Sequence, residues 1–219
     1  MRLEKASNEA IKYACLNYHY SKSVPVNPVA FSVFNDKNEF CGCILYGYGA
    51  NNNIAKQYGL VNGQVIELLR MALNGKQEST SQAMSLSIKL IKKKLPLAKL
   101  LVSFADSRQG HIGIIYQATN WYYTGESNTT PDYFFRGRWM HQRQINSLIG
   151  SLKKLPLNTK KRDGGTRLKY LYPLDKSLTE MCNKLKRPYP KKSVISIVND
   201  AVTNPSEEGG AVPTITHHD

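Results

Sequence analysis

The sequence predicts an α/β (α+β) fold, a mixed central sheet flanked by helices. Three observations carry that prediction. Two segments show apolar residues at helical spacing behind a capping hydroxyl. Stretches of strand length, alternating or wholly apolar, lie between them. The segments run helix, hairpin, strand, helix, strand, helix, strand, an order that calls for layers of helix on sheet.

Residues 5–18 read as the first helix, with Ser7 as N-cap, Glu9 in the first turn and a stripe of Ile11, Ala14, Cys15 and Tyr18. VPVNP then enforces extended chain. Residues 29–35 and 39–48 alternate around Asp36-Lys37-Asn38 and read as a hairpin. Residues 49–63 read as loop and 64–73 as a strand, which puts Glu67 and Arg70, three apart, on opposite faces, whereas a helix there would pair them on one face. A helix from Ser81 to Lys94 follows, capped by Ser79, Thr80 or Ser81 and stopped by Pro96. Residues 99–105 form a buried strand, 110–119 a helix, and 120–124, 133–137 and 167–173 further strands. Residues 174–186 read as a helix with Asp175 near its start. Residues 1–195 form one domain on this reading, and 196–219, which lack any period, a flexible tail.

Composition bounds the function classes. No apolar run reaches the ~20 residues of a membrane span, and the charged N-terminus has no signal-peptide core, so a cytoplasmic protein is expected. Cys15, Cys41, Cys43 and Cys182 show no metal-binding spacing and read as buried thiols, with Cys41 and Cys43 on one strand face. The net charge of +14 is concentrated: residues 136–195 carry 16 Lys/Arg against 3 Asp/Glu, whereas 196–219 carry none against 4. Such a block implies a polyanionic partner, nucleic acid before an anionic membrane surface, the alternative being a merely solvated basic face. Arg136, Arg138, Arg143, Lys160, Lys161 and Arg162, interleaved with Trp139, read as the duplex-binding face.

The densest chemistry lies in LVSFADSRQGHIGIIYQATNWYYTG, Leu101–Gly125, just beyond a strand. Asp106 there is a base, a metal ligand or a helix N-cap. His19, at the first helix exit beside Tyr20, is a base, a metal ligand with Asp106, or a histidine favoured by the helix dipole. His111 reads as a satisfied polar residue, and Ser85 and Ser87 as packing or solvent positions.

This block, with QVIELLRMALN, RGRWMH and RLKYLYPLDKSL, resembles the Mom DNA-modification proteins of Mu-like bacteriophages over roughly residues 15–190. The element order is similar to that of GCN5-related N-acetyltransferases, in which a central strand splays from its neighbour to seat a donor. The resemblance implies an enzyme, an acyltransferase-like transferase in the host cytoplasm. It would convert adenine in double-stranded DNA to N6-carbamoylmethyladenine and so protect the DNA from host restriction. It implies that Tyr116 protonates the leaving group, although Tyr116 also shares a core stripe with Ile112 and Ile115. Asn120, Trp121 and Tyr122, with Tyr20, would hold an extruded base, the alternative for Trp121 being a core position. Arg70, Ser79, Thr80 and Ser81 would bind the donor. The glycine-rich pyrophosphate loop of acetyl-CoA enzymes is replaced by NGKQESTSQAMS, with one glycine. An activated glycine-derived donor, such as an aminoacylated RNA, therefore stands level with acetyl-CoA. Two rivals are a conventional N-acyltransferase acting on a small amine or a protein, and a non-catalytic DNA-binding protein.

Overall fold

The chain builds a seven-stranded sheet in the order β1-β2-β3-β4-β5-β10-β6. Its strands are β1 (Arg2–Lys5), β2 (Val29–Phe34), β3 (Phe40–Gly47), β4 (Val65–Leu73), β5 (Leu100–Asp106), β6 (Tyr122–Asn128) and β10 (Thr166–Pro173). Every neighbouring pair is antiparallel except β4 and β5. This computed structural model describes residues 1–26, 28–49, 53–128 and 131–191. Met1–Tyr189 form one compact unit, and the expected tail, 196–219, lies outside the described residues.

Helix α1 (Asn8–Tyr18) starts as its sequence dictates, with the Ser7 hydroxyl accepting from the Ala10 N–H. Ile11, Ala14 and Cys15 pack on Ala30, Cys43, Leu45 and Ala72. On the opposite face α2 (Thr80–Lys94), capped by Ser79, buries Ala83, Met84, Ile88 and Ile91 against Ile44, Ile66 and Leu101. Helix α5 (Thr179–Leu185) returns to the α1 side, where Cys182 meets Val65, Leu100 and Leu171. Two lines of the expectation shorten. The helix expected at 110–119 is α3 (Ile114–Ala118), because Gly113 at φ 76° delays its start and a 3-10 turn occupies Ser107–Gln109. The helix expected at 174–186 opens with a 3-10 turn capped by Asp175. Strand β1 escapes sequence reading because RLEK offers one apolar side chain.

Two β-bulges overturn expectations of facing. Val33 pairs with Gly42 and Phe34 with Phe40, so Cys41 is an extra residue. It turns to the α2 side while Cys43 stays with α1, and the two thiols occupy opposite faces. Gly42 must be glycine there, since a Cβ would collide with the Ala72 carbonyl. On β4, Leu45 pairs with Arg70 and Tyr46 with Leu68, which leaves Leu69 as the extra residue. Glu67 and Arg70 therefore share the α1 face, not opposite faces.

A second, three-stranded sheet grows out between β6 and β10: β7 (Asp132–Phe135), β8 (Arg138–His141) and β9 (Lys161–Arg162), ordered β8-β7-β9. Helix α4 (Gln142–Ile149) follows β8. The sequence gives no hint of this sheet beyond 133–137, because its strands are short and interleaved with charge.

Candidate active site

β4 and β5 are in register only over Val65–Glu67 against Leu100–Val102 and are unpaired beyond. The Leu69 bulge lies on that unpaired stretch, and Ser103 fills the gap. Its hydroxyl donates to the Leu68 carbonyl at 3.0 Å, so its oxygen accepts from the Tyr116 hydroxyl at 2.8 Å. Burial pushes the Tyr116 phenol up to about 12, so it keeps its proton at neutral pH. Its ring stacks on Tyr170 with centroids 4.7 Å apart.

On the α1 face, the residues at the exit of α1 meet the ends of β4 and β5. The His19 Nδ1 accepts from the Ser21 backbone N–H at 3.2 Å and faces the Ser21 hydroxyl at 2.8 Å. Burial, then the charge of Arg70, pushes this imidazole down to about 4. A neutral ring accepting at Nδ1 carries its proton on Nε2. His19 is thus a hydrogen-bond donor at its other edge, which disfavours the base assigned to it from sequence. Tyr20 stacks on His19 at 4.3 Å and meets His111 edge-on at 5.7 Å, while half its surface stays exposed. Burial and the nearby Asp106 carboxylate raise the Tyr20 phenol. Arg70 donates to the Leu69 carbonyl and the Ser23 hydroxyl, and its Nε is buried without a partner among the described residues.

Asp106 ends β5. Its Oδ1 accepts from the Arg108 N–H at 3.1 Å and lies 3.5 Å from the Arg108 Nε. It therefore does cap a turn, the 3-10 turn at Ser107–Gln109, and Oδ2 is the oxygen left for an incoming donor. His19, Tyr20, Arg70, Asp106 and Tyr116 are thus brought to one region. No group of three His, Cys, Asp or Glu residues able to hold a metal occurs among the described residues.

Other expected site residues lie elsewhere. Asp106 is level with Arg167 on β10 and Ser127 on β6, whereas Tyr122 is level with Leu171 and Val102. Tyr122 therefore sits about 13 Å along the sheet from Asp106, and Asn120 lies in the left-handed turn that precedes it. Trp121 is fully buried between Tyr116 and Tyr172. It cannot stack on a base, and the core reading holds for it. At the start of α2, Ser79 caps Gln82, Ser81 meets the Ser79 hydroxyl, and Thr80 accepts from Gln77. These hydroxyls are spent on the helix itself. Arg136, Arg138, Lys160 and Lys161 are exposed, and Arg143 lies on α4 with its side chain outside the described residues. Arg162 is an ion-pair partner: with Arg108 it holds the buried Asp132, at 2.9 and 2.8 Å.

The Mom protein family model matches residues 1–191. The chain belongs to the Mom protein family. It is also 30% identical over 153 residues to "Methylcarbamoylase mom" of Escherichia phage Mu, a match spanning 68% of this chain and 63% of that protein. The chain thus covers less than two thirds of that Mom protein. Among solved structures it is similar to the Vibrio cholerae spermidine/spermine N-acetyltransferase SpeG (9% identity, 82% and 98% coverage, TM-score 0.46). It is also similar to a GNAT family acetyltransferase from Elizabethkingia anophelis with acetyl-CoA bound (11% identity, 79% and 97% coverage, TM-score 0.44). Within this Mom chain the strand order and the parting of β4 from β5 give the GCN5-related N-acetyltransferase-like architecture.

Coenzyme A, one of the two expected donors, would set its pyrophosphate at the loop before α2, where no glycine-rich cradle is built. Gly75, the only glycine of the loop before α2, has open space around it and forms no cradle. The neighbouring hydroxyls are already engaged. Helical and strand periodicity missed Ser103, Arg108 and Asp132. Ser103 was discoverable as the single hydroxyl on the core face of an otherwise apolar strand. Asp132 left no local signal, because its partners are 24 and 30 residues away.

Proposed function

We propose that this Mom-family chain is a transferase that modifies adenine in double-stranded DNA at N6, yielding N6-carbamoylmethyladenine and shielding the DNA from restriction. The observation that carries this reading is the likeness to the methylcarbamoylase of phage Mu over 153 residues. The geometry supports it. The exocyclic amine of adenine is a poor nucleophile, so it must leave the duplex, be held, and lose a proton on attack. Tyr20, half exposed and stacked on His19, offers a platform for an extruded base. Asp106 Oδ2 takes the N6 proton as N6 attacks the glycyl carbonyl and the ester bond to the RNA breaks, giving N6-glycyladenine; the isomeric carbamoylmethyl adduct follows when the glycyl amine adds to C6 of the purine and the amide nitrogen departs. The His19 Nε2–H and the unpartnered Arg70 Nε–H donate to an oxygen of the donor. Tyr116, still protonated, supplies a proton to the departing group after its hydroxyl turns from Ser103.

The donor on this reading is an activated glycine derivative, because the adduct has the atoms of glycinamide and no pyrophosphate cradle is built. Purified protein is incubated with duplex DNA and either glycyl-RNA or acetyl-CoA, and the nucleosides are resolved by mass spectrometry. Modified adenosine with the glycine donor supports the reading; an adduct with acetyl-CoA alone refutes the donor assignment.

A further inference from the structure

The three-stranded sheet carries an exposed aromatic edge that the site chemistry does not use. Its β7–β8 hairpin turns through Arg136 and Gly137, both at positive φ (51° and 77°), a type I′ turn whose twist matches the strands. Phe134 and Trp139 face each other across it, ring centroids 5.4 Å apart, and are 41% and 36% exposed. Isolated exposed aromatics are ordinary surface. This pair is backed by a fixed cation. The Arg162 guanidinium lies 4.7 Å from the Trp139 ring centre and is itself fixed by two bonds to Asp132, at 3.2 and 2.9 Å. Further cations line the tip and the reverse face: Arg136 lies over the Phe135 ring, Arg138 is level with Phe135, and Lys161 lies over Tyr133.

The root of the hairpin is tied to the candidate site. Asp132, its first residue, bonds Arg108 at 2.8 Å, and Arg108 lies 3.5 Å from Asp106. The four-residue strands then reach about 13 Å outward. A two-stranded ribbon of this size fits a DNA groove, and apolar wedges between base steps are a known way to unstack a duplex.

Resting on the adenine-modification reading, we propose that the β7–β8 hairpin is a DNA wedge. Phe134 and Trp139 stack into the step vacated by the extruded adenine, while Arg136 and Arg138 clamp the flanking phosphates. The hairpin thereby opens the duplex at the distance from Asp106 that its Asp132 root sets.

The test uses the full chain and duplexes carrying 2-aminopurine beside a central adenine, titrated by anisotropy and fluorescence at several salt concentrations. The wild-type chain should raise 2-aminopurine emission on binding. Phe134→Ala/Trp139→Ala should abolish that rise and weaken binding at least tenfold, with the salt slope unchanged. Arg136→Ala/Arg138→Ala should instead lower the slope by about 2. An aromatic double variant that binds and unstacks like the wild type overturns the wedge. So does a wild-type chain that leaves 2-aminopurine stacked. Nucleoside analysis of the same reactions separates the two ideas. Unstacking without modified adenine supports the wedge and removes the reaction assigned to Asp106. Undiminished modification by the aromatic double variant overturns the wedge and leaves the reaction standing.

Discussion

Asp132→Asn tests how the basic sheet is fastened to the candidate site. The Asp132 side chain is 8% exposed, and one oxygen, Oδ2, accepts from Arg108 Nη1 at 2.8 Å and from Arg162 Nε and Nη2 at 3.2 and 2.9 Å. Hydrogen bonds between charged partners contribute about 1.5–3 kcal/mol each, and they do not add. Asparagine keeps the shape and one acceptor but removes the charge. The two arginines, 32% and 47% exposed, recover part of their hydration. The net loss works out at about 2 kcal/mol, or roughly 4–8 °C in Tm for a unit of this size. The assay is urea and thermal unfolding at pH 7, with a double-mutant cycle against Arg162→Ala. Burial would raise the Asp132 carboxyl, but the hydrogen bonds and charges of Arg108 and Arg162 outweigh it and hold it below the usual carboxylate range. A depressed carboxyl contributes stability above its unfolded pKa of about 3.9, and that stability is lost as pH falls through the folded value. The Asp132→Asn penalty should therefore shrink below about pH 4. A change under about 0.5 kcal/mol at pH 7, or an additive cycle, refutes the fastening role.

Three further outcomes are expected. In the fold the His19 imidazole is pushed down to about 4 from its ordinary 6.5, so folding favours the neutral ring; the stability this gives is complete above pH 6.5 and is lost towards pH 4. The shift corresponds to roughly 3 kcal/mol before solvent screening of this half-buried ring and about 1–2 after it, so His19→Gln should flatten the unfolding free energy between those pH values; an unchanged slope contradicts the neutral assignment. Trp121→Ala should cost about 3–5 kcal/mol because the ring is fully buried, and a chain that loses DNA binding but no stability would restore the base-holding role. Asparagine caps turns as well as aspartate, so Asp106→Asn should leave Tm within a few degrees while removing modification; retained modification excludes Asp106 as the base.

The sheet and its two principal helices were legible because burial there is periodic: the Ser7 and Ser79 caps and the stripes of α1 and α2 lie where sequence spacing puts them. The facing of Cys41 and Arg70 was not, because a one-residue bulge inverts every later side chain and leaves the residue types unchanged. Among site residues, Asp106, Tyr116, His19 and Tyr20 were visible as polar or aromatic groups just past element ends, and the fold gathers them. Asn120 and Trp121 looked equally promising, but sequence distance from Asp106 says nothing of sheet level. Trp121 turns into the core beside Tyr116 instead, and Asn120 is taken up in the turn that leads into β6. The basic block was plain from charge alone, whereas its organisation around Asp132 depends on contacts between distant segments. Tyr189, by contrast, closes on the Trp121 carbonyl at 2.7 Å and adds a long-range lid to the core that no local pattern announces.

The most direct test of the central claim is nucleoside mass spectrometry of DNA from cells expressing this chain, compared with cells expressing Asp106→Asn. The account predicts N6-carbamoylmethyl-deoxyadenosine in the first DNA and its absence from the second. Unmodified adenine in both, with the chain folded and bound to DNA, would contradict it.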